Sequence, residues 1–153
     1  FYLDENLELP DGFKLIYRGH SNTHEAHKDG GSERFIDVTR YPNITDLYLA
    51  ADVLITDYSS VMFDYTVTGK PIIFMTPDLE RYRAERGFYF DFESEAPGPI
   101  LSTQDEVVAA LENLGEVERN YQKKYRNWQL KFDAHEDGKA ASRVIAKVFS
   151  EGK

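Results

Sequence analysis

Two serines stand side by side in Asp57-Tyr58-Ser59-Ser60, directly after the apolar run "DVLIT" (52–56), and a carboxylate, Asp64, follows Ser60 by four residues. A strand that ends in a polar turn and gives way to a helix is a phosphate-binding arrangement. The first N–H groups of a helix have no partner inside it, and they carry the positive end of the helix dipole. Two hydroxyls at that spot add donors without adding charge. One helical turn on, Asp64 shares a face with the serines. A carboxylate there repels phosphate but accepts hydrogen bonds from the hydroxyls of a sugar or polyol beside it. The plain alternative is a serine N-cap followed by an exposed helical aspartate. The residues alone leave both readings open, and no G-x-G-x-x-G or P-loop accompanies them.

The surrounding sequence supplies the elements that position this turn. "FKLIYR" (13–18), after the turn "LPDG", and "RFIDVT" (34–39) read as strands. Between them "SNTHEAHKDGGSE" reads as a loop. "ITDLYLAA" reads as a short helix with Ile44, Leu47 and Tyr48 on one face. "DVLIT" is a third strand, "SSVMFDYTVTG" a helix stopped by Gly69 and Pro71, and "PIIFM" a fourth strand. Further on, "DLERYRAERG" predicts a short helix, "FYFDFE" an extended segment, and "EAPGPI" no regular structure. Thr103 opens a helix over "QDEVVAALENL", a long amphipathic helix follows with Trp128 in its packing stripe, and Asp137-Gly138 precedes a last one. Strands alternating with helices predict one α/β domain, a Rossmann-like parallel sheet covered on both faces. In such sheets ligands sit beyond the carboxyl ends of the strands, where Asp57 falls.

Composition narrows the function classes. With 27 acidic against 18 basic residues the 153-residue chain carries a formal charge of -9. That disfavours nucleic acid as a partner, and an anionic lipid surface with it. The absence of cysteine excludes disulfides, thiolate zinc sites and cysteine nucleophiles from this chain. No apolar run approaches the roughly 20 residues that span a bilayer. His20, His24 and His27 have a spacing that one helix face could gather around a metal, but their neighbours make the segment solvated, and no metal site is expected.

The stretch from Tyr41 to Ile100 resembles the C-terminal region of the CDP-glycerol glycerophosphotransferase family, which includes teichoic acid primases and polymerases. The likeness rests on "LYLAADVLITDYSSVMFDY", "GKPIIF", "RGFYFDFE" and "PGPI", with "DGKAASRV" near the end. It covers most of the chain from Phe13 onward. The resemblance implies one lobe of a GT-B fold and a chain that begins at Phe1 as a piece of a longer protein. It implies a CDP-glycerol or CDP-ribitol donor, transfer of the polyol phosphate to a lipid-linked teichoic acid acceptor, and release of CMP. It maps donor contacts onto Ser59, Ser60 and Asp64. It adds Asp57, and also Arg18 and His20, where the family has a similar Arg-x-His. No catalytic residue is expected here, since the base belongs to an N-terminal domain outside this chain. The diphosphate leaves room for a divalent cation such as Mg. The implied location is cytoplasmic, with the full-length protein peripheral on the inner face of the membrane. Two other readings compete: a GT-B nucleotide-sugar epimerase or glycosyltransferase, whose glycines after the serine are replaced here by Ser60-Val61, and a nucleotide-binding module without catalysis.

Overall fold

The computed structural model describes residue 3, residues 7–19 and residues 33–150. These residues form five short strands and seven helices. They are β1 (Leu15–Tyr17), β2 (Phe35–Asp37), α1 (Ile44–Ala50), β3 (Leu54–Thr56), α2 (Val61–Thr66), β4 (Ile72–Met75), α3 (Leu79–Glu85), α4 (Phe92–Glu95), β5 (Ile100–Leu101), α5 (Gln104–Glu112), α6 (Leu114–Phe132) and α7 (Ala140–Ser150). All strand pairings are parallel, as the alternation predicts. The strands pair as two sets rather than one continuous sheet: β1 with β2, and β3-β4-β5 with β4 in the centre.

The central strand shows why the sheet is covered twice. All four residues of β4 are buried. Ile72 and Phe74 face one core with Tyr48, Met62, Tyr65, Phe92 and Trp128. Ile73 and Met75 face a second core with Val107 and Leu111. This is the period-two alternation of a strand with helices on each side. The first core is largely aromatic. Trp128 lies over Phe63 (centroids 5.1 Å apart) and against Phe90 (5.2 Å) and Phe132 (4.5 Å).

Polar bonds then fix the far end of α2. Thr66 Oγ1 donates to Asp133 (2.8 Å), Gln129 Nε2 donates to the Thr66 carbonyl (2.8 Å), and the Tyr125 hydroxyl donates to the Lys70 carbonyl (2.7 Å). Lys70 Nζ donates to the Leu49 and Ala51 carbonyls (2.7 and 2.6 Å) and so caps α1 with a cation at its negative end. Gly69 turns the chain at φ +74, a conformation open to glycine at little cost.

Two segments differ from the sequence expectation. "FYFDFE" is not extended throughout: Asp91 Oδ1 accepts from the Ser94 N–H (3.2 Å), and this cap starts the short helix α4. "EAPGPI" ends in regular structure, because Ile100 and Leu101 pair with Phe74 and Met75. α7 shows its apolar face, Val144, Ile145, Val148 and Phe149, to solvent. No helix among the described residues is long and apolar enough to cross a membrane.

Candidate functional site

The carboxyl ends of β1, β3 and β4 carry Arg18, Asp57 and Thr76. β3 delivers the chain to Asp57, whose carboxylate accepts the Ser59 N–H (2.9 Å) and bends the loop. The chain then passes through Ser60 (φ -61, ψ -11) into α2. Met62 and Phe63 N–H groups bond back to the Ser59 and Ser60 carbonyls (3.2 and 3.1 Å), so the first turn closes tightly on itself. The Val61 N–H reaches Ser59 Oγ only at 3.5 Å, and the Ser60 side chain makes no cap bond.

These details narrow the expected anion site. α2 has six residues, which limits its dipole, and two of its first N–H groups are already used. The hydroxyls of Ser59 and Ser60 therefore carry more of any anion binding than the helix end does. Ser59 is half-buried and Ser60 exposed. Another helix start at this edge makes a contrast. At α5, Thr103 accepts from Glu106 N–H (3.3 Å), and Glu106 accepts from the Ser102 and Thr103 N–H groups (2.8 and 3.0 Å). α2 has no such box: its counterpart N–H groups on Ser59 and Phe63 bond to Asp57 and to the Ser60 carbonyl, and the Ser60 hydroxyl is left without a cap bond.

Asp64 is exposed in the first turn of α2. Its charge and that of Arg18 both act on the Tyr48 hydroxyl. Burial is the main cause that pushes the Tyr48 hydroxyl up, with Asp64 adding to it and Arg18 opposing. Among the described residues that hydroxyl has no hydrogen-bond partner. Asp57, Ser59 and Ser60 follow β3 directly, with Asp57 engaged in shaping the turn and Asp64 one turn into α2; Arg18 follows β1, in the other strand set. His20, with His24 and His27, lies outside the described residues. Among those described, no three His, Cys, Asp or Glu side chains gather as a metal-ligand set.

"APGPI" is placed elsewhere. It precedes β5, so it lies at the amino end of the sheet, opposite the serines. Its residues 96–99 are buried, and Pro99 accepts from the Phe74 N–H (2.8 Å). It acts as a rigid turn of the core. Asp137 Oδ1 accepts from the Lys139 N–H (2.9 Å) and pairs with Arg143, an ordinary capping arrangement.

Sequence reasoning missed Tyr58 and Asp78. The Tyr58 hydroxyl donates to Asp78 Oδ1 (3.1 Å), and its ring stacks on Tyr82 with centroids 3.9 Å apart. Burial first, and then the bond to Asp78, push this hydroxyl well above the ordinary tyrosine range. The available signal was positional: both residues follow directly on adjacent parallel strands.

Residues 5–150 match the family described as CDP-Glycerol:Poly(glycerophosphate) glycerophosphotransferase. The chain is 38% identical over 144 residues to a teichoic acid poly(glycerol phosphate) polymerase of Bacillus subtilis (strain 168), which covers 93% of this chain and 19% of that protein. It is 44% identical over 114 residues to a teichoic acid glycerol-phosphate transferase of Staphylococcus aureus (strain NCTC 8325 / PS 47), covering 74% of this chain and 29% of the relative. A solved structure of the wall teichoic acid polymerase TagF, a variant soaked with CDPG, superposes with a TM-score of 0.82 at 33% identity, over 94% of this chain and 36% of that one. The chain thus spans less than a third of the length of these two relatives. A match that runs through nearly every described element, with the fold to go with it, means that this chain belongs to the CDP-glycerol:poly(glycerophosphate) glycerophosphotransferase family.

Proposed function

We propose that this chain is the donor-binding lobe of a glycerophosphotransferase of teichoic acid synthesis, one half of a two-lobed GT-B enzyme. The observation that carries the reading is the pair of hydroxyls on Ser59 and Ser60 at a helix start beyond a parallel strand, where the Ser60 side chain makes no cap bond. They hold the diphosphate of CDP-glycerol, with the Arg18 guanidinium as the nearby cation. Asp64 accepts hydrogen bonds from the glycerol hydroxyls. A ribitol donor fits the same chemistry.

The reaction is an in-line displacement at the β-phosphorus. A hydroxyl of the polyol-phosphate acceptor forms the new O–P bond. The bond from phosphorus to the bridging oxygen breaks, and CMP leaves with that oxygen. The acceptor proton goes to a base outside this chain, in the lobe that also binds the lipid-linked acceptor. Here the work is positioning and electrostatic stabilisation of the leaving group. A divalent cation such as Mg, where one takes part, arrives on the donor diphosphate, and we assign it no ligand set in this chain. The reading places the full-length protein at the cytoplasmic face of the membrane.

Calorimetric titration with CDP-glycerol tests this, with UDP-N-acetylglucosamine and CMP as controls. A hydrogen bond to a charged group contributes about 1.5–3 kcal/mol. The Ser59→Ala/Ser60→Ala variant, which removes two such bonds, is therefore expected to bind CDP-glycerol at least about a hundredfold more weakly. Equal affinity in the variant, or preference for the UDP-sugar, overturns the reading.

A further inference from the structure

Tyr58 sits between two residues of the candidate site, yet its side chain turns away from solvent and into the sheet edge. Its ring lies flat on Tyr82, 3.9 Å away with an interplanar angle of 18°, and meets Phe88 at a tilt (5.6 Å) and Phe92 edge-on (5.9 Å). Its hydroxyl donates to Asp78 Oδ1 at 3.1 Å, with the buried Thr76 hydroxyl alongside. Asp78 is held in turn by Arg81, whose Nη2 donates to the other carboxylate oxygen at 2.7 Å. Asp78 opens α3 but makes no side-chain cap bond there, so its carboxylate serves the tyrosine and Arg81 rather than its own helix.

The geometry ties two loops together. One loop follows β3 and carries Ser59 and Ser60; the other follows β4 and carries Asp78. Adjacent parallel strands bring both loops to the same edge, but the backbone hydrogen bonds of the ladder end at Thr56 and Phe74. Beyond that point the Tyr58–Asp78 bond is a direct hydrogen bond between the loops. On the other side Asp57 fixes the Ser59 N–H. Ser59 is therefore held from both of its preceding residues, by a bond to its own N–H and by the anchored side chain of its neighbour.

Resting on the donor reading above, we infer that Tyr58 and Asp78 are positioning residues for the donor diphosphate, acting through Ser59 and Ser60 without touching the ligand. A hydroxyl donor is useful to a phosphate only when its oxygen is held at hydrogen-bond distance, and a loop free to move loses that geometry first. The stacked ring keeps the loop folded, and the hydroxyl bond sets its final position.

A double-mutant cycle separates this role from a structural one. Tyr58→Phe keeps the stacked ring and removes only the bond to Asp78. Asp78→Ala removes the same bond from the other side. Each is expected to weaken CDP-glycerol binding about tenfold with the thermal midpoint little changed, and the two together no further. Asp78→Asn retains an acceptor oxygen and is expected to restore most of the affinity. In the Ser59→Ala/Ser60→Ala background, Tyr58→Phe is expected to have no further effect on binding. An additive loss in that background overturns the inference, and so does full affinity in Tyr58→Phe. If the serine variant itself binds as the unmodified chain does, or the unmodified chain binds no CDP-glycerol, the donor reading fails and the inference falls with it.

Discussion

At the amino end of β4 the chain meets itself with no room for a methyl group; at the carboxyl end, a few residues away, it leaves the Ser60 hydroxyl without a cap bond. A Cβ on Gly98 would lie 1.8 Å from the Ile72 carbonyl oxygen. Just ahead of β4, Thr66 and Lys70 bond to Asp133, Gln129, Tyr125 and the Ala51 carbonyl. Past the other end, Ser60 has no cap bond and Asp64 stands exposed. The two ends are about 10 Å apart along a strand of this length. One end satisfies its polar groups internally and packs backbone on backbone. The other keeps donors and a carboxylate for something outside the chain. Stability and binding should therefore separate by position along the same strand.

The sharpest way to break this comparison is Gly98→Ala. The obstacle is a backbone carbonyl, which cannot swing aside as a side chain would. The expected loss is at the upper end of overpacking, about 3 kcal/mol or more, read by urea denaturation. The Ser59→Ala/Ser60→Ala variant is its counterpart, with donor affinity lost and the denaturation midpoint nearly kept. A Gly98→Ala protein of ordinary stability would mean that the amino end is not the rigid end.

Thr103→Ala comes next and sharpens the contrast within the carboxyl end. Its hydroxyl belongs to a capping box, so losing it costs about 1 kcal/mol of stability and leaves CDP-glycerol affinity unchanged. A loss of affinity without a loss of stability would put Thr103 with the serines instead.

The order of elements was legible because β4 and the helices around it follow strict periodicities, and because Gly69, Thr103 and Asp137-Gly138 mark boundaries in familiar chemistry. The carboxyl-edge position of Asp57 to Ser60 followed from that order alone. The split into two strand sets was not legible, since pairing between β2 and β3 depends on tertiary placement and not on either segment's pattern. The alternating aromatics from Phe88 to Phe92 read as an extended segment, yet Asp91 caps a helix among them and their rings close over Tyr58, Phe63 and Trp128. The role of Gly98 needed the approach of β4, which no local signal carries. Tyr58 was overlooked because the serines beside it offered a more obvious chemistry.

Asp133→Asn tests the paired end more gently. Burial is the main cause that holds the Asp133 carboxyl above its ordinary range, with Glu136 and Asp64 adding to it and the Thr66 hydroxyl opposing. The native protein thus binds this proton more tightly than the unfolded chain does. The contribution is favourable at low pH and is lost as pH rises through the native pKa. Asparagine keeps an acceptor for Thr66 and removes the charge. Thermal melts are expected to show the variant slightly more stable than the parent at pH 7, with the advantage shrinking towards pH 4. An advantage that grows on acidification would mean that the carboxylate form is the one the native structure favours.

Tyr48→Phe is the smallest change and the most pointed one. The Tyr48 hydroxyl is buried where the fields of Arg18 and Asp64 meet, and no described residue pairs with it. Its ring, packed edge-on against Tyr65 with centroids 5.7 Å apart, is retained in phenylalanine. Removing an unpaired buried hydroxyl relieves a desolvation penalty, so stability is expected to hold or to rise by up to about 1 kcal/mol, with CDP-glycerol affinity unchanged. A clear loss of stability would mean that the hydroxyl has a partner in the folded protein. A clear loss of affinity at unchanged stability would carry Tyr48 into the binding end.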